Sequence, residues 1–234
     1  MAVAAYDATS QLPLSSATRL EAVCAWIDSP SYPVWARGSK RLIDITVSSL
    51  LLVVLSPLLV LLTIGVRLTS GGPAIFAHTR CGLRGRPFQF YKFRSMVIDA
   101  EARKRELIHL NEVQGAAFKI ARDPRVTRFG RWLRKYSLDE LPQLWNVLLG
   151  DMSLVGPRPP MPSEVVSYTQ RQVQRLAVIP GITGLWQVSG RNNLSSFEQW
   201  VDLDLAYIAR WSVWLDLRIL ARTLPVVLRA EGSC

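Results

Sequence analysis

Residues 42–66, LIDITVSSLLLVVLSPLLVLLTIGV, form the feature that most restricts this chain, because a run of this kind cannot be left in water. At 1.5 Å per helical residue it is long enough to cross a hydrocarbon layer of about 30 Å. Its flanks argue against a simple crossing: Arg37, Lys40 and Arg41 precede it, and Arg67, Arg80, Arg84 and Arg86 follow. Basic residues mark the cytoplasmic side of a membrane segment, so both ends read as cytoplasmic. Ser56 and Pro57 sit in the middle. Proline cannot donate to the carbonyl of Val53 and its ring crowds that turn, while the Ser56 hydroxyl is expected to bond back to Leu52. The expectation is a kinked, re-entrant helix that enters one leaflet and returns, with an ordinary kinked spanning helix as the alternative.

The whole chain of 234 residues is 49% hydrophobic yet carries a net charge of +10, which calls for an anionic partner: nucleic acid, lipid headgroups or phosphorylated substrates. Cys24, Cys81 and Cys234 are widely spaced and odd in number, which suggests neither a disulfide framework nor a zinc site. With only His78 and His109 present, a histidine-ligated metal or a serine–histidine relay is improbable. Chemistry in such a chain must run on carboxylates, lysine, arginine or a hard cation.

Residues 1–36 lack a basic and then apolar leader pattern and read as a flexible N-terminal extension. AIFAHTR and PFQFYKF flank a glycine-containing turn and predict a short β-hairpin. A polar helix and loop are expected over 97–121, a basic amphipathic segment over 125–136, and further helices over 163–177 and 196–229. In the basic segment, Arg125, Arg128, Arg131, Arg134 and Lys135 would give one cationic face. Trp200, Trp211 and Trp214 near several arginines suit a helix lying in a headgroup plane, and equally a packed aromatic core. Arg158, between prolines in VGPRPP, is presented from stiff backbone.

SLDELPQ, residues 137–143, places two adjacent carboxylates in this basic chain. Ser137 and Glu140 have capping-box spacing, so a helix start is one reading. Pro142 would deprive such a helix of an amide, so its first turn should be irregular or begin later.

Five stretches, KRLIDITVSSLLLVVLSP, FYKFRSM, SLDELPQLWNVLLGDMSLVGPRP, PGITGLWQVSGRNNLS and LDLAYI, together resemble the bacterial sugar transferase family. These are monotopic polyprenyl-phosphate phosphoglycosyl transferases, and the resemblance runs from about residue 38 to 229. Nothing before residue 37 is apolar enough for the extra membrane helices of longer members, so the short form is expected. The resemblance implies transfer of a sugar 1-phosphate from a UDP-sugar to undecaprenyl phosphate with release of UMP, the first membrane step of exopolysaccharide assembly. It further implies a Mg²⁺-dependent course with a covalent aspartyl phosphosugar. Asp139 would be the nucleophile, and Glu140 its neighbour for metal binding or proton handling, the two together holding the Mg²⁺. Lys92, Arg94, Arg134, Arg158, Arg191 and Asp204 would surround substrate phosphate.

The expected architecture is mainly α with a small β-hairpin (α+β): a membrane-inserted segment over 37–70, then a cytoplasmic catalytic domain over 71–234 with interfacial helices, at the inner membrane. Expected partners are the polyprenyl lipid, the nucleotide sugar and anionic headgroups. Nucleic acid is not expected, for want of a motif, and a homo-oligomer is left open. The competing class is a non-catalytic membrane-surface protein of a glycan-assembly complex, which would not need the acid pair or the proline-flanked arginine.

Overall fold

The computed structural model describes residues 16–27, 34–103, 106, 107, 109, 120, 123–190 and 196–228. In order these form α1 (Ser16–Cys24), α2 (Val34–Val54), α3 (Ser56–Ser70), β1 (Ile75–Cys81), β2 (Pro87–Phe93), α4 (Ala100–Arg103), α5 (Arg128–Lys135) and α6 (Gln143–Leu149). Then come β3 (Ser153–Val155), α7 (Pro162–Val165), α8 (Gln170–Val173), β4 (Gly181–Thr183), α9 (Leu185–Val188), α10 (Phe197–Ala209) and α11 (Val213–Leu228). The fold is mainly helical with the expected antiparallel hairpin, β1 against β2 in the register Phe76↔Lys92 and His78↔Phe90. A second sheet was not legible in the sequence: β3 pairs parallel to β4, three residues each. Strands this short carry no periodicity to read.

Proline shapes the apolar run as expected, but through a different carbonyl. The Ser56 hydroxyl donates to Val53, 2.8 Å away, rather than to Leu52. It thereby satisfies the acceptor that Pro57 leaves open. No single described helix is long and apolar enough to cross a membrane; Arg37–Val54 and α3 reach that length and composition only together, bent by 65°. Gly71 ends α3 in the left-handed region at φ 69°, where a β-carbon is disfavoured.

The lateral organisation of α2 is inside-out. Leu42, Leu50, Val53 and Val54 are exposed, while Asp44 and Ser48 are buried. Asp44 accepts from the Ser153 hydroxyl at 3.0 Å and the Leu154 amide at 2.9 Å. Lys40 donates to Val155 and to Asp216 at 2.9 and 2.6 Å, and Tyr207 and Trp211 also donate to Asp216. Arg41 donates to the carbonyls of Val147 and Leu148, terminal acceptors of α6. The basic residues expected to act purely as a topological flank are therefore also bolts into the folded domain.

Three apolar clusters fill the interior. One gathers Phe88, Phe90, Leu144, Val147, Val155 and Tyr207, with Val47 and Leu51 of α2 packed on it. Another joins Leu62 and Val66 of α3 to Phe93 and Leu133. Leu141 packs on both, which places the acidic turn between them. The third holds Cys81, Tyr168, Phe197 and Val201, together with Val23 of α1 from within the 1–36 extension.

Two expected helices are broken. Residues 163–177 divide into α7, α8 and a 3-10 turn at Gln174–Ala177, because Thr169 starts a new capped helix by accepting the Gln172 amide. Residues 196–229 divide at Arg210–Ser212 into α10 and α11. Of the three tryptophans, Trp200 stacks on Trp186 at 4.9 Å and Trp211 bonds Asp216, leaving Trp214 turned outward. The 97–121 segment includes α4 and lies largely outside the described residues.

Candidate active site

The capping-box reading of SLDELPQ does not hold. Ser137 makes no side-chain cap and adopts φ 52°, ψ 22°, a left-handed conformation that is costly for any residue with a β-carbon. From it runs a single 3-10 turn, Leu138–Glu140, and the regular helix waits until Gln143. Because Pro142 has no amide, the Leu138 carbonyl is taken by the Leu141 amide, at 3.3 Å. The irregular start anticipated from Pro142 is thus present, and it separates the two acids. Successive residues of a 3-10 turn point about 120° apart. Asp139 turns inward and is buried, whereas the half-buried Glu140 faces Arg158 at 3.8 Å.

Burial raises the Asp139 pKa above the usual carboxylate range and the neighbouring Glu140 raises it further; the fields of Lys92 and Arg134 oppose both. Lys92 comes from β2, half-buried, its ammonium 5.6 Å from the Phe76 ring centre. Burial and the cations around it, Arg134 foremost, lower its pKa to about 8. Asn146 holds this strand in place, donating to Gln89 at 2.6 Å and accepting from the Tyr91 amide at 3.1 Å.

Arg134 projects from the last turn of α5 and donates to the Ser95 hydroxyl at 2.9 Å. Burial lowers its pKa, while Asp139 and Asp123 raise it. That reach depends on Gly130, where an added β-carbon would lie 2.0 Å from the Ser95 carbonyl oxygen. Thr127 caps the helix by accepting the Gly130 amide at 2.9 Å. The cationic face expected over 125–136 is therefore divided: Arg128, Arg131 and Lys135 are solvent-facing, while Arg125 is buried against Asp123 at 2.6 Å. Burial alone would raise Asp123, but its bonds from Arg125 hold it below the ordinary range.

Arg158 stands on a loop bonded on both sides. The Pro157 carbonyl accepts the Gly181 amide and the Pro160 carbonyl accepts the Cys81 amide, both at 2.9 Å. Beside it, the inner face of the hairpin forms a cleft of about 210 Å³ whose lining includes Phe76, Arg80, Lys92, Arg94 and Arg125, and no carboxylate. Arg94 donates to Pro73 and lies 5.5 Å from the Phe76 ring centre. Lys92 belongs both to this cleft and to the surroundings of Asp139.

The structure thus brings together Asp139, Glu140, Lys92, Arg134 and Arg158, with Arg94 further along the cleft. Asp204 is placed elsewhere, in a buried ion pair with Arg175 at 2.7 Å within the Phe197 cluster. Arg191 lies outside the described residues. Sequence reasoning missed Ser95, Asn146, Arg175 and Arg80. Only Arg80 had a usable signal, since it alternates with Phe76 and His78 along one face of the predicted hairpin.

The site thus sets a buried carboxylate in the field of Lys92 and Arg134, in a chain whose helix α2 turns apolar residues outward. The family model described as "Bacterial sugar transferase" matches residues 35–230, and the chain belongs to that family. Among its relatives, the galactosyl transferase CpsE of Streptococcus agalactiae serotype III is 49% identical over 83% of this chain and 43% of its own length. The undecaprenyl-phosphate galactose phosphotransferase of Salmonella typhimurium is 46% identical over 85% of this chain and 42% of its own. The exopolysaccharide production protein ExoY of Rhizobium meliloti is 41% identical over 83% and 88%. The chain therefore spans less than half of the first two relatives and most of the third.

Proposed function

We propose that this chain is a phosphoglycosyl transferase that moves a sugar 1-phosphate from a UDP-sugar to a polyprenyl phosphate, with Asp139 as nucleophile. The observation that carries this reading is the inward Asp139 carboxylate, buried on an irregular turn and bonded to no cation, yet lying in the field of Lys92 and Arg134. Removing water from a carboxylate strengthens its attack, and fixed cations offset the repulsion between it and an anionic phosphate. A carboxylate oxygen attacks the sugar-bearing phosphorus, the anhydride P–O bond breaks, and UMP leaves with that bond's electron pair. A lipid phosphate oxygen then attacks the same phosphorus. The acyl phosphate opens, Asp139 returns as a carboxylate, and a polyprenyl diphosphate sugar departs.

Lys92, Arg134 and Arg158 counter charge on the transferring phosphoryl oxygens. Glu140 points toward Arg158 at 3.8 Å, and from there would bind a cation or handle a proton. The site fits a Mg²⁺ ion, because burial and the neighbouring Glu140 both oppose ionisation of Asp139 and a cation beside it would relieve that. Among the described residues no group of three or more His, Cys, Asp or Glu side chains could hold an ion, so Asp139, Glu140 and substrate phosphates would share it. When bound, the ion would neutralise developing charge on the diphosphate. The exposed apolar sides of α2 and α3 support a re-entrant insertion from the cytoplasmic face of the plasma membrane.

The test incubates the purified full chain with Mg²⁺, polyprenyl phosphate and a panel of UDP-sugars, UDP-galactose first, because relatives are named for galactose. UMP release and a sugar-phosphate adduct by intact mass, the adduct absent in Asp139→Asn, are expected. No UMP from any donor, under conditions where a known family member works, favours the non-catalytic surface protein. Cysteine labelling before Arg37 and after Arg67 in intact cells should find both on one side; opposite sides would sink the re-entrant reading.

A further inference from the structure

Arg80 lies on the same face of the hairpin as Lys92, since Phe76 pairs with Lys92, and Arg80 follows Phe76 by four residues with Phe88 opposite. Its guanidinium is held in two ways. The Phe90 ring centre lies 5.4 Å from it, and one terminal nitrogen donates to the Pro159 carbonyl at 3.2 Å, the residue next to Arg158. Of its other nitrogens, Nε is shielded from solvent and has no hydrogen-bond partner among the described residues. No carboxylate among the described residues forms an ion pair with Arg80, in contrast to the buried Arg125 and Arg175, which each grip an aspartate. A half-buried guanidinium with a shielded, unused donor and no carboxylate partner is costly unless an anion meets it.

We propose that Arg80 binds a substrate phosphate from the floor of the hairpin cleft, as a second guanidinium beside Arg158. The ring and the Pro159 carbonyl set its plane at the cleft wall, from which its terminal N–H groups would meet phosphate oxygens. Burial and the nearby Arg158 pull its pKa down to about 10, a like-charge strain that a bound phosphate would relieve. The aromatic face and the backbone acceptor supply rigidity without consuming the charge. This inference rests on the transferase reading above. The phosphate can belong to the nucleotide sugar or to the polyprenyl lipid, and the two are separable by kinetics.

The experiment compares Arg80→Gln and Arg80→Lys with wild type, titrating UDP-sugar at saturating lipid phosphate and lipid phosphate at saturating donor. Arg80→Gln should raise KM for one substrate at least tenfold, with a smaller change in kcat and with partial recovery in Arg80→Lys. A raised donor KM assigns the diphosphate, and a raised acceptor KM assigns the lipid headgroup. Both KM values unchanged in active variants overturn the proposal, as does a fall in kcat alone, which marks a structural prop for the Arg158 loop. If the variants do not fold, hydrogen exchange of the wild-type chain decides. UDP or the lipid phosphate should slow exchange in peptides covering Thr79–Gly82 and the segment after Pro157, and no protection from either ligand overturns the proposal. Absence of UMP release by wild type is a separate outcome, which defeats the transferase reading itself.

Discussion

Two sets of charges in this protein are treated in opposite ways. Between α2 and the domain, and inside the helical cluster, cations meet carboxylates directly: the half-buried Lys40 with Asp216 at 2.6 Å, and the buried Arg175 with Asp204 at 2.7 Å. Around the acidic turn, cations rest on arenes, hydroxyls and carbonyls instead: Lys92 and Arg94 over Phe76, Arg134 on Ser95, Arg80 on Phe90 and Pro159. The first arrangement neutralises charge where nothing else will arrive. The second fixes the position of charge while leaving its valence for an anion. Pairing divides the proposed site's cations as well: Arg158 lies 3.8 Å from Glu140, whereas Lys92, Arg134 and Arg80 form no ion pair among the described residues.

The sharpest break between the sets should come from Asp139→Asn. It is expected to lose activity by about 10³-fold or more, the scale on which an essential nucleophile acts, while the chain still folds. Its pKa is raised in the folded state, so between the unfolded value and the raised one the folded chain holds a proton that the unfolded chain has released. Stability should therefore fall as pH rises through that window, and Asp139→Asn should abolish the slope in melts followed by circular dichroism. A variant that melts lower than wild type at neutral pH would move Asp139 into the scaffold set.

The opposite behaviour is expected of Asp216→Ala. It leaves the half-buried Lys40 without its partner and Tyr207 and Trp211 without their acceptor, at a cost of about 2–4 kcal/mol in denaturant unfolding. Gly130→Ala joins the two sets mechanically: α5 must shift from Ser95, costing about 1–3 kcal/mol and carrying Arg134 off its hydroxyl, so transfer should fall along with stability. Lys92 offers a subtler probe. With a pKa of about 8 it loses its charge as pH rises past that value, so substrate affinity should weaken above pH 8 and Lys92→Arg should flatten the profile. Thr127→Ala should cost only about 1 kcal/mol by removing the cap of α5.

The sequence made these contrasts only partly visible. The hairpin was legible because aromatic and polar residues alternate around a glycine turn, and the bend because Pro57 cannot continue the amide ladder. The acidic pair and Arg158 stood out through local chemistry and spacing. What was not legible depends on partners far along the chain. Nothing near Lys40 or Asp44 foretells Asp216 or Ser153, so Lys40 read as a membrane flank and Asp44 passed as part of the apolar run. Asp204 matched a motif but meets Arg175, which no local pattern singled out. The break at Arg210–Ser212 was hidden by apolar residues on both sides, and the left-handed Ser137 has no signature beyond the Pro142 that forces irregularity after it.

The inside-out face of α2 also has a consequence in time. Lys40 and Asp44 leave the ribosome well before their partners, separated from Asp216 by 176 residues and from Ser153 by 109. At bacterial synthesis rates of about 5–20 residues per second, Lys40 waits roughly 10–35 s for its counter-ion. During that interval the apolar side of the helix is ready for lipid while its polar stripe has only water or headgroups to meet. Birth at a bilayer surface, with the stripe facing the aqueous side, would satisfy both, so under the re-entrant insertion proposed above the helix enters lipid before the domain closes over it.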